Sequence, residues 1–157
     1  MFTLPTAGEA GGTPSGDEGY YSFDYGNIHF ISLNSEDYEY SVDLLNQTIN
    51  IDHNPGMITW LENDLAANTN KDWIIAYWHQ SPYSRGTHTE TNSTWSYVDG
   101  LIMRTIRDEI VPILEAGGVD LVLSGHSHSY ERSYLIHGNY GSTGFFPPDS
   151  TLVDGST

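Results

Sequence analysis

The stretch VDLVLSGHSHSYERSY, residues 119–134, runs from a short apolar segment directly into Gly125 and two histidines. A continuous apolar run of this length is typical of a strand buried in a sheet. Gly125 would let the backbone turn close to a ligand at the end of that strand. For His126 and His128 two interpretations stay open at this point: a turn that carries two surface imidazoles, or a metal site.

The rest of the chain predicts alternating strands and helices. YYSFDYG (20–26) and IHFISLNS (28–35) favour a hairpin, and Pro55 is expected to begin a helix. A second helical pattern begins at Asp99, includes Pro112 as a candidate kink and ends at Gly117 and Gly118. Residues without a helix or strand pattern are the irregular lead-in and two polar segments: 1–19, 36–54 and 80–97.

A second apolar run, DWIIAYWH (72–79), also ends in a histidine, and a helix separates it from the first. This order predicts an α/β sheet with parallel strands joined by a crossover helix. Ligand sites in such sheets lie beyond the carboxyl ends of the strands. His79, His126 and His128 are therefore expected at the same edge of one sheet.

Composition excludes several classes of function. The 157 residues suit one domain and contain 21 acidic against 5 basic residues, a formal net charge of −16. Such a surface repels nucleic-acid backbones and anionic lipids, so neither a nucleic acid nor a membrane is an expected partner. The chain has no cysteine, which excludes disulfides, zinc–thiolate sites and cysteine nucleophiles.

The spacing of the histidines bears on which kind of metal site is expected. Two histidines one residue apart do not match the i, i+4 spacing of two ligands on one helix. They can instead offer each ring to a different ion of a pair, as in two-metal phosphoryl-transfer sites with ions about 3.5–4 Å apart. His88, in the polar loop after His79, could act as an acid, a base or a phosphate donor, or could simply be an exposed loop histidine.

The other titratable residues are expected to be structural. His29, His53 and His137 are interpreted as core or surface histidines without a ligand role, and Asp64 as a solvated surface carboxylate. Glu131 and Arg132 could form a pair that supports the histidines, or an exposed ion pair of little energetic weight.

The segments AYWHQSP and SGHSHSYERSY resemble the metallophosphoesterase (calcineurin-like) superfamily, and within it the purple acid phosphatase branch. The Gly-His-x-His-x-Tyr-Glu-Arg string is highly specific for that branch, and the resemblance extends from about Phe2 to Ser156. It implies a partial αββα sandwich, about half of the full domain. Residues 1–157 would form the C-terminal part of the catalytic domain, ending in an incomplete tail at 143–157.

The resemblance also implies a function. His79 and His126 would ligate one metal and His128 the other, in a dinuclear centre of iron paired with zinc, manganese or a second iron. His88 is the candidate for binding phosphate or protonating the leaving group. The implied reaction is hydrolysis of phosphate monoesters by a metal-bound hydroxide, in an extracellular or periplasmic acid phosphatase.

The family's earlier ligand motifs are not identified in this sequence, since Gly-Asn-His does not occur and no ligand role is assigned to the aspartates or tyrosines of the Asp-x-x-Tyr strings at 17–20 and 37–40. We therefore expect only part of the dinuclear site here, and a chain that is inactive alone and either self-associates or needs an N-terminal half. A non-catalytic metal-binding or interaction fragment, and a related phosphodiesterase or nucleotidase, remain the alternatives.

Overall fold

The computed structural model describes residues 3–46, 48–86, 88 and 97–140. The predicted tail at 143–157 and most of the loop after His88 lie outside these residues. Residues 3–19 contain no helix or strand beyond one isolated bridge between Glu9 and Gly11. Among the described residues, no helix is both long enough and apolar enough to cross a lipid bilayer.

The central element is a four-stranded mixed sheet, in the order β1-β2-β5-β6. Its strands are β1 (Tyr21–Tyr25), β2 (Ile28–Ser32), β5 (Trp73–Trp78) and β6 (Leu121–Ser124). β1 and β2 form the predicted antiparallel hairpin, whereas β2–β5 and β5–β6 are parallel. The parallel pairs need crossover connections, and helices supply both of them. The α/β prediction is confirmed.

The first crossover contains α1 (Pro55–Ala67), which Asn54 caps by accepting a hydrogen bond from the Gly56 N–H at 2.8 Å. The second contains α2 (Tyr97–Thr105), a π-helical turn (Ile106–Ile110) and α3 (Val111–Ala116). The π-helical turn lies directly before Pro112, whose missing N–H and bulky ring disturb the preceding turn of a regular helix. The kink predicted at Pro112 thus takes the form of a widened turn.

Residues 36–54, which had no readable pattern, form a two-stranded hairpin of β3 (Tyr38–Asp43) and β4 (Thr48–His53). β4 is held against the second crossover, where Thr105 Oγ1 donates to the Ile51 carbonyl at 3.3 Å. His53 Nδ1 lies 3.2 Å from a carboxylate oxygen of Glu109. His53 is therefore a buried strand-end residue and not a loop residue, and burial lowers its pKa against the opposing effect of Glu109.

The helices cover only one face of the sheet. Side chains on the covered face are buried, and they include Ser22, His29, Ile31, Ile74, Ala76 and Trp78. The opposite face carries aromatic and aliphatic residues that are partly or largely exposed, namely Phe23, Phe30, Ile75, Tyr77, Leu121 and Leu123. Leu121 is 47% exposed and Leu123 is 51% exposed, so the prediction that β6 is a buried strand is wrong for this face. We call this second surface the open face.

Asp64 was expected at the surface, but it is completely buried beneath the sheet. Its carboxylate accepts hydrogen bonds from His29 Nε2 at 2.7 Å and from Ser22 Oγ at 2.7 Å. The other ring nitrogen of His29 lies 2.8 Å from Asp24, which also pairs with Lys71. A charge on α1 is tolerated in the core because the β1–β2 hairpin supplies its partners.

These contacts shift the pKa values of all three groups. Burial alone would lower the pKa of His29, but the hydrogen bonds and charges of Asp64 and Asp24 raise it above its ordinary value. Burial would raise the pKa of Asp64, but the hydrogen bonds from His29 and Ser22 lower it. Asp24 behaves in the same way beside Lys71 and His29. The folded state thus favours an imidazolium held between two carboxylates.

We expect the His29 contribution to stability to be complete below about pH 6.5, the ordinary histidine pKa, and to be lost as pH rises through the higher folded-state pKa. The Asp24 and Asp64 contributions are present above about pH 4 and disappear as pH falls through their lowered values. Urea unfolding over a pH series measures both effects. His29→Gln should cost about 3–5 kcal/mol near pH 6 and flatten the alkaline decline.

The matched control is His137→Gln, because the His137 side chain is 69% exposed. This variant should keep the alkaline decline of the unsubstituted chain. An equal alkaline decline of stability in His29→Gln and in the unsubstituted chain would contradict the assignment of this decline to His29.

The loops that follow β5 and β6 are fastened together by Glu131. Its carboxylate accepts hydrogen bonds from Ser84 Oγ at 2.8 Å, the Arg85 N–H at 2.7 Å and the Gly86 N–H at 3.1 Å. Partial burial would raise the pKa of Glu131, but these bonds lower it. Among the described residues Glu131 forms no ion pair with Arg132, so its role is to hold the neighbouring loop.

The close approach of these loops depends on Gly86. A Cβ added there would lie 2.5 Å from Ser129 Oγ, 2.9 Å from Glu131 Oε1 and 2.9 Å from Ser127 Cβ. We expect Gly86→Ala to separate the loops and to lower the free energy of unfolding by about 1–3 kcal/mol, measured by thermal unfolding. Gly125→Ala is the control, since its nearest contact would be an ordinary 3.6 Å. Equal melting temperatures for the two variants would refute this account.

Candidate metal centre

The histidine segments converge at the carboxyl ends of β5 and β6. His79 follows β5, and the Gly125 N–H after β6 donates to the His79 carbonyl at 2.9 Å, which continues the strand pairing by one residue. The His79 and His126 rings are 5.0 Å apart, and His79 Nε2 lies 3.2 Å from His126 Nδ1. The structure thus brings together side chains that are 47 positions apart in the sequence.

His88 completes the cluster. The centre of its ring lies 4.4 Å from that of His126 and 5.2 Å from that of His128. All four residues that the sequence proposed for the site, His79, His88, His126 and His128, therefore occupy one region of the surface. Their roles as ligands or acid remain predictions.

Both histidines of the His-Ser-His turn have a left-handed backbone. The φ angles are +67° at His126 and +56° at His128, whereas Gly125 is not in the left-handed region. Such angles cost roughly 1–2 kcal/mol for a residue with a side chain, and they concentrate at functional sites. Ser127, which lies between them, is only 6% exposed. The turn thus buries the serine and leaves the rings of both flanking histidines next to His88.

Sequence reasoning missed the carboxylate at this site. Asp99, in the first turn of α2, has its Oδ2 atom 3.1 Å from His88 Nδ1 and 3.5 Å from His126 Nε2. His88, Asp99 and His126 form a group whose potential ligand atoms all lie within 4.8 Å of one another. In the sequence Asp99 served only to mark the beginning of a helix. The one feature of the sequence that could have indicated Asp99 as a site residue is its position directly after the loop that carries His88.

The donor atoms suit a metal ion. Two ligands on a tetrahedral ion with bonds of about 2.0–2.1 Å are about 3.3 Å apart, close to the 3.2 Å between His79 Nε2 and His126 Nδ1. The opposite nitrogen, His126 Nε2, is buried and has no hydrogen-bond partner among the described residues. Imidazole nitrogens with a nearby carboxylate suit ions such as zinc and iron. The residues present therefore fit a metal centre.

Buried polar groups hold the loop that follows His79. Gln80 is buried and bonds to Ser35, whose Oγ also accepts the Gln80 N–H at 3.3 Å. The buried guanidinium of Arg107, in the π-helical turn, donates to the Pro82 carbonyl at 2.7 Å and lies 5.7 Å from the centre of the Tyr83 ring. Burial raises the pKa of Tyr83 to about 12. These anchors fix the backbone from which His79 and His88 extend.

The three histidines expected to be structural pair with other carboxylates. His29 binds Asp24 and Asp64, and His53 binds Glu109. His137 Nδ1 lies 3.0 Å from Glu115 Oε2. These contacts with carboxylates explain the positions of the three histidines, and no bound ligand is needed to explain them.

A family model described as Calcineurin-like phosphoesterase matches residues 2–130. Purple acid phosphatase 15 of Arabidopsis thaliana is 32% identical over 77% of this chain and 19% of its own length. Purple acid phosphatase 23 of the same plant is 31% identical over 98% of this chain and 28% of its own length. Acid phosphatase type 7 of Mus musculus is 33% identical over 81% of this chain and 28% of its own length.

The chain therefore spans between 19% and 28% of the length of these relatives. The family match covers most of the chain and includes every histidine of the cluster. The chain belongs to the calcineurin-like phosphoesterase family and is a purple acid phosphatase-like metallophosphoesterase.

Proposed function

We propose that this chain is part of a metal-dependent phosphoesterase that hydrolyses phosphate monoesters. The observation that carries the proposal is the convergence of four histidines beyond the carboxyl ends of two parallel strands, where ligand sites of such sheets lie. The names of the relatives support the reaction class, since three of them are named as acid phosphatases.

In this proposal His79 Nε2 and His126 Nδ1 hold one metal ion, and His128 holds a second. The 3.2 Å separation of the first two atoms supports a shared ion. His128 contacts the His88 ring, with 5.2 Å between ring centres, and its one-residue spacing from His126 supports a separate ion for it. The metals we propose are iron with zinc, manganese or a second iron. When bound, such a pair supplies an activated water nucleophile and neutralises charge on the phosphate.

His88 is proposed to act directly on the substrate. Its ring adjoins both proposed ligands, His126 and His128, so it is placed to donate a hydrogen bond to a phosphate or a proton to the leaving oxygen. Imidazole is suited to this role because it exchanges a proton near neutral pH. A local source of positive charge is needed because the chain carries a net charge of −16 and repels an anionic ester.

We further propose that this chain holds only part of the dinuclear site and is inactive alone. Within the described residues, His88, Asp99 and His126 are the single group of three side chains with metal-ligand spacing. The relatives are about four to five times longer than the matched segment. Further ligands would come from an N-terminal half of the domain, in an extracellular or periplasmic protein.

Metal titration of the purified chain tests the proposed ligands. We expect fewer than two equivalents of zinc per chain, with His79→Ala and His126→Ala each weakening binding at least tenfold. His137→Ala is the matched control and should bind like the unsubstituted chain, because this exposed histidine pairs with Glu115 away from the cluster. Near two tightly bound equivalents would contradict a partial site. Hydrolysis of a chromogenic phosphate monoester by the unsubstituted chain would contradict its being inactive alone, and hydrolysis that survives His126→Ala would exclude the metal mechanism.

The open face supports the proposal of a missing half. Its aliphatic residues on β6 would be covered in a complete αββα sandwich by a second sheet. In the isolated chain, burial of this surface favours pairing of two copies. Leu121 and Leu123 are each about half exposed, and they lie on β6, which is an edge strand of the sheet.

Light scattering over a concentration series tests whether two copies of the chain pair through the open face. We expect the unsubstituted chain to show a mass above that of a monomer as concentration rises, and Leu123→Lys to remain monomeric because a charge on the open face opposes its burial. Leu45→Lys is the control, since Leu45 is 95% exposed in the turn of the β3–β4 hairpin. A monomeric mass for the unsubstituted chain at all concentrations would overturn the proposal.

A further inference from the structure

We propose that Asp99 is a positioning residue that orients His126 and His88 at once. It would fix the tautomer of His126 so that Nδ1 faces the metal, and that of His88 so that Nε2 faces the substrate. The inference rests on the proposed function of the two histidines, and it adds a residue that the sequence motifs do not include.

The two ring nitrogens of His126 face different groups, a carboxylate and a second imidazole. Nε2 lies 3.5 Å from Asp99 Oδ2, and Nδ1 lies 3.2 Å from His79 Nε2. A neutral imidazole carries one N–H, which is either on Nε2 or on Nδ1. With the proton on Nε2, the N–H lies on the side of the ring near the carboxylate, and the Nδ1 lone pair remains available for a metal. The reverse tautomer would place a lone pair against an anionic oxygen.

Pairing of this kind is a general device in metal sites. A ligating histidine commonly donates its other ring N–H to a carboxylate, which fixes the ring and makes the ligand nitrogen more basic. The distance of 3.5 Å is long for a hydrogen bond, but such contacts often shorten when a site binds its ligand. Asp99 is only 21% exposed, so solvent screens the attraction incompletely.

His88 meets the same oxygen. Its Nδ1 lies 3.1 Å from Asp99 Oδ2, which has lone pairs for two donors. With Nδ1–H directed at the carboxylate, Nε2 becomes the atom that can exchange a proton with a substrate. A carboxylate behind a histidine serves this purpose in hydrolytic sites that use a histidine as acid or base. One oxygen of α2 thereby links the proposed ligand and the proposed acid.

The competing arrangement is direct ligation by Asp99. His88, Asp99 and His126 could hold an ion among them, and His126 would then bind it through Nε2. The two arrangements use opposite nitrogens of His126. The tautomer of this one ring therefore distinguishes them.

Long-range ¹H–¹⁵N NMR of the histidine-labelled chain, zinc-free and zinc-loaded, provides the test. We expect the unsubstituted chain to show His126 protonated on Nε2 and His88 protonated on Nδ1 without zinc, and the zinc-induced shift of His126 on Nδ1. Asp99→Ala should give mixed tautomers in both rings and weaken zinc binding about 10–100-fold. Asp99→Glu should restore the tautomers in part. Asp108→Ala is the control, because Asp108 is an exposed carboxylate of the same helical segment that pairs with Arg104.

Unchanged tautomers in Asp99→Ala would overturn the inference, and so would a zinc-induced shift on His126 Nε2. The proposed function fails separately, if zinc shifts neither His79 nor His126. The zinc-free tautomers report on Asp99 whether or not the metal binds, so the two failures are distinguishable.

Discussion

The parallel pairing of β5 with β6 is the constraint on which the site depends. Each strand ends in a histidine-bearing segment, and parallel register brings both ends to the same edge, with Trp78 opposite Ser124 and the Gly125 N–H bonded to the His79 carbonyl. A shift of the pairing by one residue would turn every side chain of β6 to the other face and separate the two imidazoles. The second crossover carries the chain back to the start of the sheet, so that β6 can pair with β5 in parallel. Its first helix, α2, also places Asp99 beside the histidines.

The two faces of the sheet are unequally covered, and this asymmetry bears on the proposal that the site is partial. Helices bury the face that contains Ile31 and Ala76, whereas the face that contains Leu121 and Leu123 is exposed. An apolar sheet face is stable only when something packs against it. The exposed leucines therefore give a second layer a surface to cover, and we propose that such a layer would also supply the further ligands.

The histidines show that the role of a residue depends on the groups that surround it and not only on its type. His29 lies between two carboxylates that raise its pKa, and its hydrogen bonds connect α1 to the β1–β2 hairpin. His126 lies between an imidazole and a carboxylate, an arrangement that favours one neutral tautomer and leaves a nitrogen for a metal. The same side chain therefore stabilises the fold at one position and is proposed to bind a ligand at another.

Local pattern in the sequence was sufficient for much of this protein. Turn chemistry at Gly26 and Asn27, the proline that begins α1 and the apolar run of β5 predicted the elements, and histidines at strand ends predicted the cluster. These signals act between near neighbours in the sequence. The β3–β4 hairpin was missed because contacts with the second crossover hold it and its own polar sequence has no clear alternation.

Tertiary structure alone decided the burial of Asp64 and the place of Asp99. Asp64 is in the core only because His29 and Ser22, distant in sequence, offset the cost of desolvating its charge. Asp99 joins the histidines only because α2 begins where β5 and β6 end. Sequence by itself determined which segments carry the chemistry. The packing of distant segments decided which charges meet, because electrostatic partners are set by distance in space and not along the chain.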